Sequence, residues 1–311
     1  MLAAAMALSC TVCVSAAEDE TIKLTVWGAE EDQDLLKELT DKFQEKYADQ
    51  KFDIQIGVES ESTAKDTILT DVEAGADVYA FADDQLTDLV KAGALLKLDD
   101  YAEALQLADT TLDDVKAANV EGAIDAASWD SLLEAADKAG KKVGMTLASG
   151  NLVACVSGTW DAITAQDVFG DGYAATKLPT FTVGDKQVQQ GSVAGYKYVG
   201  VNGYSENSGW AVLLAEDFTN EESQQIFFDQ RESGSSNKNV AASDSVQENV
   251  ALAALAAQSE YAQAQKVGGK YWDSAQTFGE LVAQGTLSAD DDNAIQEALD
   301  NLVDGVTAPV E

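Results

Sequence analysis

The sequence predicts an α/β fold in which helices cover an open, largely parallel sheet. Three observations support this prediction. Strand-like and helix-like segments alternate between Ile22 and Gly93, hydrophobic residues make up 46% of the chain, and no tandem repeat or low-complexity linker interrupts the 311 residues. This length is enough for one large domain or two ordinary ones.

The first part of the alternation is a strand, a helix and a second strand. Residues 22–27 alternate between apolar and polar side chains as a strand does, and Gly28 ends this run. Apolar residues then recur at steps of three and four, which is typical of a helix with one buried face. They are Leu35, Leu36, Leu39, Phe43 and Tyr47. The alternation of residues 52–58 predicts the second strand.

A second helix, a third strand and a third helix follow. The helix is predicted over residues 67–74, with Gly75 as a left-handed C-cap. Residues 77–82 form the next predicted strand, and the third helix carries Leu86, Leu89 and Val90 and ends at Gly93.

The rest of the chain contains short strands and then mostly helices. Strands or extended segments are predicted at 143–147, 152–156, 178–183 and 193–202. Helices are predicted for 128–136, 206–217, 220–231, 245–265, 273–284 and 291–304.

Composition excludes several classes of function. The chain has 55 Asp and Glu against 19 Lys and Arg, and this net charge of -36 repels nucleic acids and anionic lipids and favours a soluble monomer. The chain contains no His, so catalytic triads and His-containing zinc sites are excluded. We expect no metal and no cofactor, whereas enzymes that use carboxylates alone remain possible.

The N-terminus predicts export. Residues 1–17 are apolar and small, and the small-x-small run Val14-Ser15-Ala16 favours a signal peptide of residues 1–16. The alternatives are a lipid-modified Cys10 and a buried N-terminal helix. Because Cys10 and Cys13 would leave with the signal peptide, Cys155 would stand alone, as a small buried hydrophobe rather than a reactive thiol.

The predicted sheet also predicts where a ligand binds. In open α/β sheets, ligands bind beyond the carboxyl ends of the strands, where loops lead into helices. The loops 27–32 and 81–85 are of this kind, and each carries an aromatic residue and carboxylates. We therefore expect a binding site at this edge of the sheet.

Several motifs carry a resemblance to a known family. The segments 76–86 and 89–98, together with six shorter motifs in the same order, resemble the extracellular solute-binding proteins of sugar ABC transporters, which include the maltose-binding protein. The shorter motifs are residues 24–27, 43–47, 157–160, 178–181, 217–224 (after Trp210) and 271–273.

The resemblance implies the two-lobed periplasmic-binding-protein type II fold, with a hinge that closes both lobes on a sugar. It assigns residues 17–125 and 198–243 to the N-terminal lobe and residues 126–197 and 244–311 to the C-terminal lobe. The chain is shorter than usual for the family, with apparent deletions before Ser128 and near Gly150. We therefore expect the second lobe to be truncated, and binding is the property that such deletions would damage most.

The resemblance also implies ligand-binding residues, each with a structural alternative. Trp160 and Trp272 match positions in the family cleft, but either indole could simply fill the core. Asp84 matches a carboxylate that accepts sugar hydroxyls, although Asp83 or Asp84 could instead cap the following helix. Phe81 follows the same alignment, although packing in the core is favoured for this residue.

Other aromatic and acidic residues are weaker candidates. Trp27 and Glu31 lie in the first strand-to-helix loop, where one carboxylate among Glu30, Glu31 and Asp32 is expected to face the cleft. Tyr196 and Tyr198 alternate near the expected hinge and either can reach the cleft. Core positions are expected for Trp129 and Trp210.

The leading hypothesis is binding without chemistry: capture of a carbohydrate, similar to a malto-oligosaccharide, for delivery to ABC permease subunits. The protein would be secreted and held at the cell surface or in the periplasm, with a lipid anchor as the alternative to simple cleavage. The other hypotheses are a degenerate relative that no longer binds, a glycosidase using Asp83 or Asp84 with Glu31, and a binder of an amino-sugar or polyamine.

Overall fold

A computed structural model describes residues 21–98, 142–143, 152–264, 271–288 and 290–308. The strands are β1 (Ile22–Gly28), β2 (Phe52–Val58), β3 (Val78–Ala82), β4 (Lys142–Val143), β5 (Leu152–Ala154), β6 (Thr180–Val183), β7 (Lys186–Gln189), β8 (Ser192–Ala194), β9 (Lys197–Val201) and β10 (Ala262–Ala264).

The helices of the described residues follow the same chain order. They are α1 (Gln33–Lys46), α2 (Ala64–Thr70), α3 (Leu86–Lys91), α4 (Ala162–Phe169), α5 (Ser208–Thr219), α6 (Glu221–Arg231), α7 (Lys238–Ala241), α8 (Asp244–Gln247), α9 (Val250–Ser259), α10 (Tyr271–Ala283) and α11 (Asp292–Thr307). Short 3-10 helices cover Glu30–Asp32, Asp83–Gln85, Thr159–Asp161 and Gly170–Gly172.

The main sheet has the strand order β2-β1-β3-β9. Strands β1, β2 and β3 are parallel, and β1 pairs with β2 from Ile22↔Phe52 to Gly28↔Val58. Strand β9 runs antiparallel to β3, so that Lys197 lies opposite Ala82. The predicted α/β fold with a largely parallel sheet is therefore confirmed, and the antiparallel strand brings the start of β9 to the carboxyl edge of the sheet.

One face of the sheet packs against α1 and α5. The alternating residues Ile22, Leu24 and Val26 are buried there together with the apolar stripe of α1, as the sequence periodicity predicts. Trp210 is 9% exposed, and its ring makes edge contacts with Tyr47 at 5.3 Å and with other aromatic rings of this cluster. The predicted core position of Trp210 is confirmed.

The other face carries a smaller core under α2 and α3. Tyr79 and Phe81 of β3 pack there against apolar residues that include Ile68 and Leu89. The hydroxyl of Tyr79 donates a hydrogen bond to the backbone oxygen of Ala94 at 3.0 Å, and burial raises the pKa of this phenol. This core fixes β3, whose carboxyl end leads directly into the candidate site.

The two glycines that were predicted to end helices have different outcomes. The helix α3 ends shortly before Gly93, as predicted, and Gly93 has a φ of 71°, in the left-handed region that is typical of a glycine after a helix. The prediction for Gly75 is wrong, since α2 already ends at Thr70 and Gly75 does not adopt a left-handed φ. Asp71 ends this helix, because its backbone is extended and its carboxylate accepts the N–H groups of the following turn at 3.2 and 3.3 Å.

Two-stranded sheets occur among the described residues from Lys142 onwards. Strands β4 and β5 are parallel, β6 and β7 form a hairpin, and β10 pairs with β8 in parallel. Strand β5 is shorter than predicted and ends before Cys155. This thiol is partly buried, and burial together with the charge of Asp161 raises its pKa, which disfavours the reactive thiolate.

The C-terminal helices match their predicted positions with one exception. The helix predicted over 245–265 is two helices followed by a strand, because Asn249 caps α9 by accepting the N–H of Leu252 at 3.0 Å. Within the described ranges, none of these helices has the length and apolar character needed to cross a bilayer.

Some predictions fall outside the described residues. They are the signal peptide at 1–16, the lipid-modified Cys10, the helix with Trp129, and the apparent deletions before Ser128 and near Gly150. The division into lobes and the truncation of the second lobe therefore stay predictions.

Candidate functional site

The candidate site lies at the carboxyl edge of the main sheet. Three loops leave this edge after β1, β2 and β3, and the start of β9 joins them because that strand is antiparallel. The loops are Ala29–Asp32, Glu59–Thr63 and Asp83–Gln85. Since parallel strands end at a common edge, residues far apart in sequence meet here.

The first loop is held by an arginine from α6. The Nε atom of Arg231 lies 3.0 Å from an Asp32 carboxylate oxygen, and its Nη2 atom lies 3.9 Å from Glu31. Burial raises the pKa of Asp32, the charges of Glu31 and Glu61 add to this rise, and the Arg231 charge opposes it. Two of the three candidate carboxylates in this loop, Glu31 and Asp32, therefore lie beside Arg231. Within the described residues, Glu30 is exposed and has no such contact.

The second loop contributes residues that the sequence analysis missed. The ammonium of Lys197, at the start of β9, lies 2.6 Å from the Glu61 carboxylate. Burial acts to raise the pKa of Glu61, but the hydrogen bond and charge of Lys197 outweigh it, so that the pKa is lowered. Glu59 and Glu61 directly after β2 are the sequence feature that could have identified this third strand-to-helix loop.

The third loop contains the two aspartates and is anchored on both sides. The backbone N–H of Asp83 donates to the carbonyl oxygen of Tyr196 at 3.0 Å. The buried amide of Gln85 donates to the carbonyl oxygens of Glu61 and Ser62, each at 2.9 Å. The backbone of Asp84 is therefore fixed between the second loop and the start of β9.

Asp84 contacts a tryptophan from the end of the chain. The indole N–H of Trp272, in the first turn of α10, donates to an Asp84 carboxylate oxygen at 3.0 Å. Neither α3 nor the 3-10 helix before it has a side-chain cap, so the helix-cap alternative for Asp84 is not observed. Trp272 is 55% exposed, and its ring is not part of the core. Two of the six candidate residues thus meet directly.

The neighbouring aromatic residues divide into buried and exposed rings. Phe81 is 3% exposed and packs in the core, which favours the packing alternative for this residue. Its ring lies 5.6 Å from that of Tyr198, which is 42% exposed on β9. Trp27 is partly buried, 6.3 Å from Tyr79. The structure therefore presents Tyr198, rather than Phe81, to a ligand.

Trp160 lies apart from this group. It is 80% exposed in the 3-10 helix before α4, so its indole does not fill the core. The ring folds over Gly158, where a Cβ atom would come within 2.1 Å of a ring atom. Among the described residues, no hydrogen bond or ring contact joins Trp160 to Asp84 or Trp272.

The assembled edge offers hydrogen-bond acceptors, one ammonium donor and exposed aromatic rings. Carboxylates and aromatic rings are the groups that bind sugar hydroxyls and sugar ring faces. In the described ranges, no group of three or more His, Cys, Asp and Glu is placed to hold a metal ion. A cavity of about 570 Å³ lies elsewhere, around Lys23, Asp77 and Asn202 at the opposite ends of the strands, and does not coincide with this edge.

Comparison with known proteins gives a family match over part of the chain. Residues 138–254 match a family model described as bacterial extracellular solute-binding protein. A search of curated proteins finds no match. The match to the family model supports a location outside the cytoplasm.

Solved structures define the fold more closely. The chain is similar to a protein solved with acarbose (24% identity, TM-score 0.72), with alignment over 92% of this chain and 99% of that one. It is also similar to the unliganded maltodextrin binding protein MalE1 from L. casei BL23 (17% identity, TM-score 0.72), over 94% of this chain and all of that one. A third similar structure is that of an ABC transporter solute binding protein from Thermotoga lettingae TMO bound with α-D-tagatose (13% identity, TM-score 0.66). The alignment covers 92% of this chain and 100% of that one.

These similarities confirm the periplasmic-binding-protein type II fold that the resemblance implied. The family match over residues 138–254 agrees with the resemblance to bacterial extracellular solute-binding proteins.

Proposed function

We propose that this protein is the substrate-binding component of an ABC transporter and that it captures a carbohydrate outside the membrane without altering it. The observation that carries the proposal is the contact between Asp84 and Trp272, which are 188 residues apart in sequence. The contact joins an ionisable acceptor to an exposed indole at the edge of the sheet where α/β folds bind ligands.

The chemistry of this edge suits an uncharged polyol. A carboxylate such as Asp84 accepts hydrogen bonds from two neighbouring hydroxyls, and the ammonium of Lys197 can donate to a sugar oxygen. The exposed rings of Trp272 and Tyr198 offer faces on which the aliphatic side of a pyranose stacks. Binding by these groups needs neither a nucleophile nor a base.

The solved relatives support a carbohydrate as the ligand. Five of those proteins were solved with acarbose, maltotetraose, maltotriose, maltose or tagatose. We infer that this chain binds a malto-oligosaccharide or a similar sugar. The tagatose complex has the same fold, so a test should include monosaccharides.

The partners follow from this role. The closed, loaded protein would deliver its sugar to the permease subunits of an ABC transporter. We propose that it acts as a monomer at the cell surface or in the periplasm, after cleavage behind Ala16 or lipid modification at Cys10. The net charge of -36 opposes binding to nucleic acids.

A thermal-shift panel tests the proposal. Maltose, maltotriose, maltotetraose, tagatose, glucosamine and spermidine would each be added to the full chain and to Asp84→Ala. We expect a malto-oligosaccharide to raise the Tm of the wild type and to have a much smaller effect on the variant, since a ligand of the native state stabilises it by mass action.

The alternatives give different results in the same panel. A degenerate relative would unfold at the same temperature with every ligand, which would contradict the proposal. A rise in Tm only with spermidine or glucosamine would indicate that the ligand is a cation instead of a neutral sugar. Release of reducing ends from maltotetraose, lost in Asp84→Asn, would indicate a glycosidase instead of a binding protein.

A further inference from the structure

A buried polar side chain, Gln85, lies directly after Asp84. It is 5% exposed, and it ends the short 3-10 helix that leads into α3. Its Nε2 amide donates to the backbone oxygens of Glu61 and Ser62, each at 2.9 Å. Its Oε1 atom is buried and has no hydrogen-bond partner among the described residues. The hydrogen bonds described for this side chain therefore all go to the second loop.

The chemistry of the contact explains why this buried residue is polar. If the amide of Gln85 were turned by half a rotation, its oxygen would face two backbone oxygens, and acceptors repel each other. An apolar side chain of similar length would fill the same space without leaving a buried acceptor unpaired. Packing alone therefore does not favour a glutamine here, whereas the two bonds to the second loop do.

The second loop is a firm support for these bonds. The backbone N–H of Glu59 donates to the carbonyl oxygen of Gly28 at the end of β1, at 2.9 Å. The carboxylate of Glu59 accepts the hydroxyl of Thr67 in α2 at 2.7 Å. The N–H of Ala64 donates to the carbonyl oxygen of Ser60 at 2.9 Å. The second loop is thus bonded to β1 and to α2, so that Gln85 ties the segment with Asp84 to a held part of the molecule.

We infer that Gln85 is a positioning residue for the carbohydrate site, which holds Asp84 where its carboxylate can accept sugar hydroxyls. This inference rests on the proposed function for the part that concerns the sugar. Because Gln85 is buried, it acts through Asp84 and does not touch the ligand. Its two bonds order the backbone of Asp84 independently of a ligand, so that binding does not have to order this loop. Loss of the bonds should therefore weaken the affinity.

Calorimetric titration with maltotriose tests this role. Gln85→Met removes both donors and keeps a side chain of similar length. The matched control is Ile68→Val, since Ile68 is completely buried in the core under α2 and α3, and its shortening lowers stability without removing a hydrogen bond. At a temperature well below both Tm values, we expect Gln85→Met to bind about ten-fold more weakly than the wild type and Ile68→Val to bind equally well.

Two results of this titration would overturn the positioning role. One is an affinity of Gln85→Met equal to that of the wild type. The other is an equal loss of affinity in Ile68→Val for a similar fall in Tm, which would show that general destabilisation is the cause.

Hydrogen exchange in the full chain without sugar gives a second test. In the wild type, we expect the side-chain amide protons of Gln85 to exchange several-fold more slowly than those of Gln284, which is exposed. The backbone N–H of Asp83, which donates to Tyr196, should exchange faster in Gln85→Met but not in Ile68→Val. Equal exchange of the two glutamine side chains in the wild type would contradict the inference even if Gln85→Met does not fold.

These outcomes are separate from those of the proposed function. A wild type that binds no sugar would contradict the proposed function and the ligand part of this inference, whereas exchange would still decide whether Gln85 holds the loop. Conversely, tight sugar binding by Gln85→Met would leave the transport role intact and contradict the positioning role.

Discussion

At the scale of single residues, the site depends on side chains that come from distant parts of the sequence. Glu61 and Lys197 form an ion pair, and the loop with Asp84 is bonded to the loop with Glu61 through Gln85, because β2, β3 and β9 have these ends at one edge of the sheet. Sequence motifs could identify Asp84 and Trp272 as separate candidates. Their direct contact depends on the packing of α10, which no local pattern encodes.

Trp160 provides a test of the ligand contact in the second half of the chain. Its indole is highly exposed, so Trp160→Ala should leave the free energy of unfolding nearly unchanged. If it stacks on a sugar ring, its loss weakens the affinity by about ten-fold, or about 1.4 kcal/mol. Calorimetric titration with maltotriose measures this, and Trp160→Phe is the matched control that keeps a flat ring. Equal affinities in all three proteins would remove Trp160 from the site.

The Glu61–Lys197 pair predicts a pH-dependent stability. The net effect of burial and of Lys197 lowers the pKa of Glu61 in the folded state, so its stabilising contribution is present above the unfolded pKa and is lost as pH falls through the folded pKa. Glu61→Gln should cost up to about 1 kcal/mol at neutral pH, since the lysine is largely exposed.

Urea unfolding at pH 7 and at about pH 3 measures this difference. The stabilities of wild type and Glu61→Gln should converge in acid. Lys197→Met is the control, because it removes the other partner of the ion pair. Its stability should likewise become equal to that of the wild type in acid. If the difference in free energy of unfolding between wild type and Glu61→Gln stays constant down to acid pH, the ion pair contributes nothing to stability.

At the scale of secondary-structure elements, two glycines give opposite predictions. Gly93 ends α3 with a φ of 71°, where an Ala would strain the backbone by about 1 kcal/mol although there is space for its Cβ. Gly279 lies inside α10 with open space around it, so Ala there should stabilise the helix by about 0.5–1 kcal/mol.

Thermal unfolding of both variants checks these signs. A destabilised Gly93→Ala and a stabilised Gly279→Ala would support the described helix ends. A neutral or stabilising effect of Gly93→Ala would contradict the left-handed cap.

The elements also show what sequence periodicity can predict. Alternation in β1 and the three- and four-residue spacing in α1 gave both elements correctly, because one face of each is buried against the same core. The end of α2 was missed because Asp71 stops the helix with a local side-chain turn, several residues before Gly75. Asn249 divides the predicted C-terminal helix for a similar reason.

The candidate site was predictable only in part. The rule that ligands bind at the carboxyl ends of parallel strands placed Asp84 correctly at the edge of the sheet. The rule could not predict the ion pairs of Arg231 with Glu31 and Asp32, because these pairs depend on the packing of α6 against the first loop. Core packing was the favoured alternative for Phe81, and its burial agrees with the alternation of strand faces.

At the scale of the whole molecule, the charge of -36 dominates long-range electrostatics. Self-repulsion among 55 acidic residues destabilises the compact state, and salt screens it within a Debye length of about 10 Å at 0.1 M. We expect the Tm to rise between low salt and about 0.5 M NaCl. Replacing NaCl by KCl should give the same rise, since screening does not depend on the monovalent cation. A Tm that stays flat or falls would show that specific ion pairs outweigh the repulsion.

The central claim concerns the edge where Asp84 and Trp272 meet. A crystal structure of the full chain with saturating maltotriose tests it most directly. We expect the sugar to lie at this edge, with hydroxyls donating to the Asp84 carboxylate and a ring face against the Trp272 indole. An ordered sugar bound elsewhere, or an Asp84–Trp272 hydrogen bond that persists with no sugar at this edge, would contradict the account.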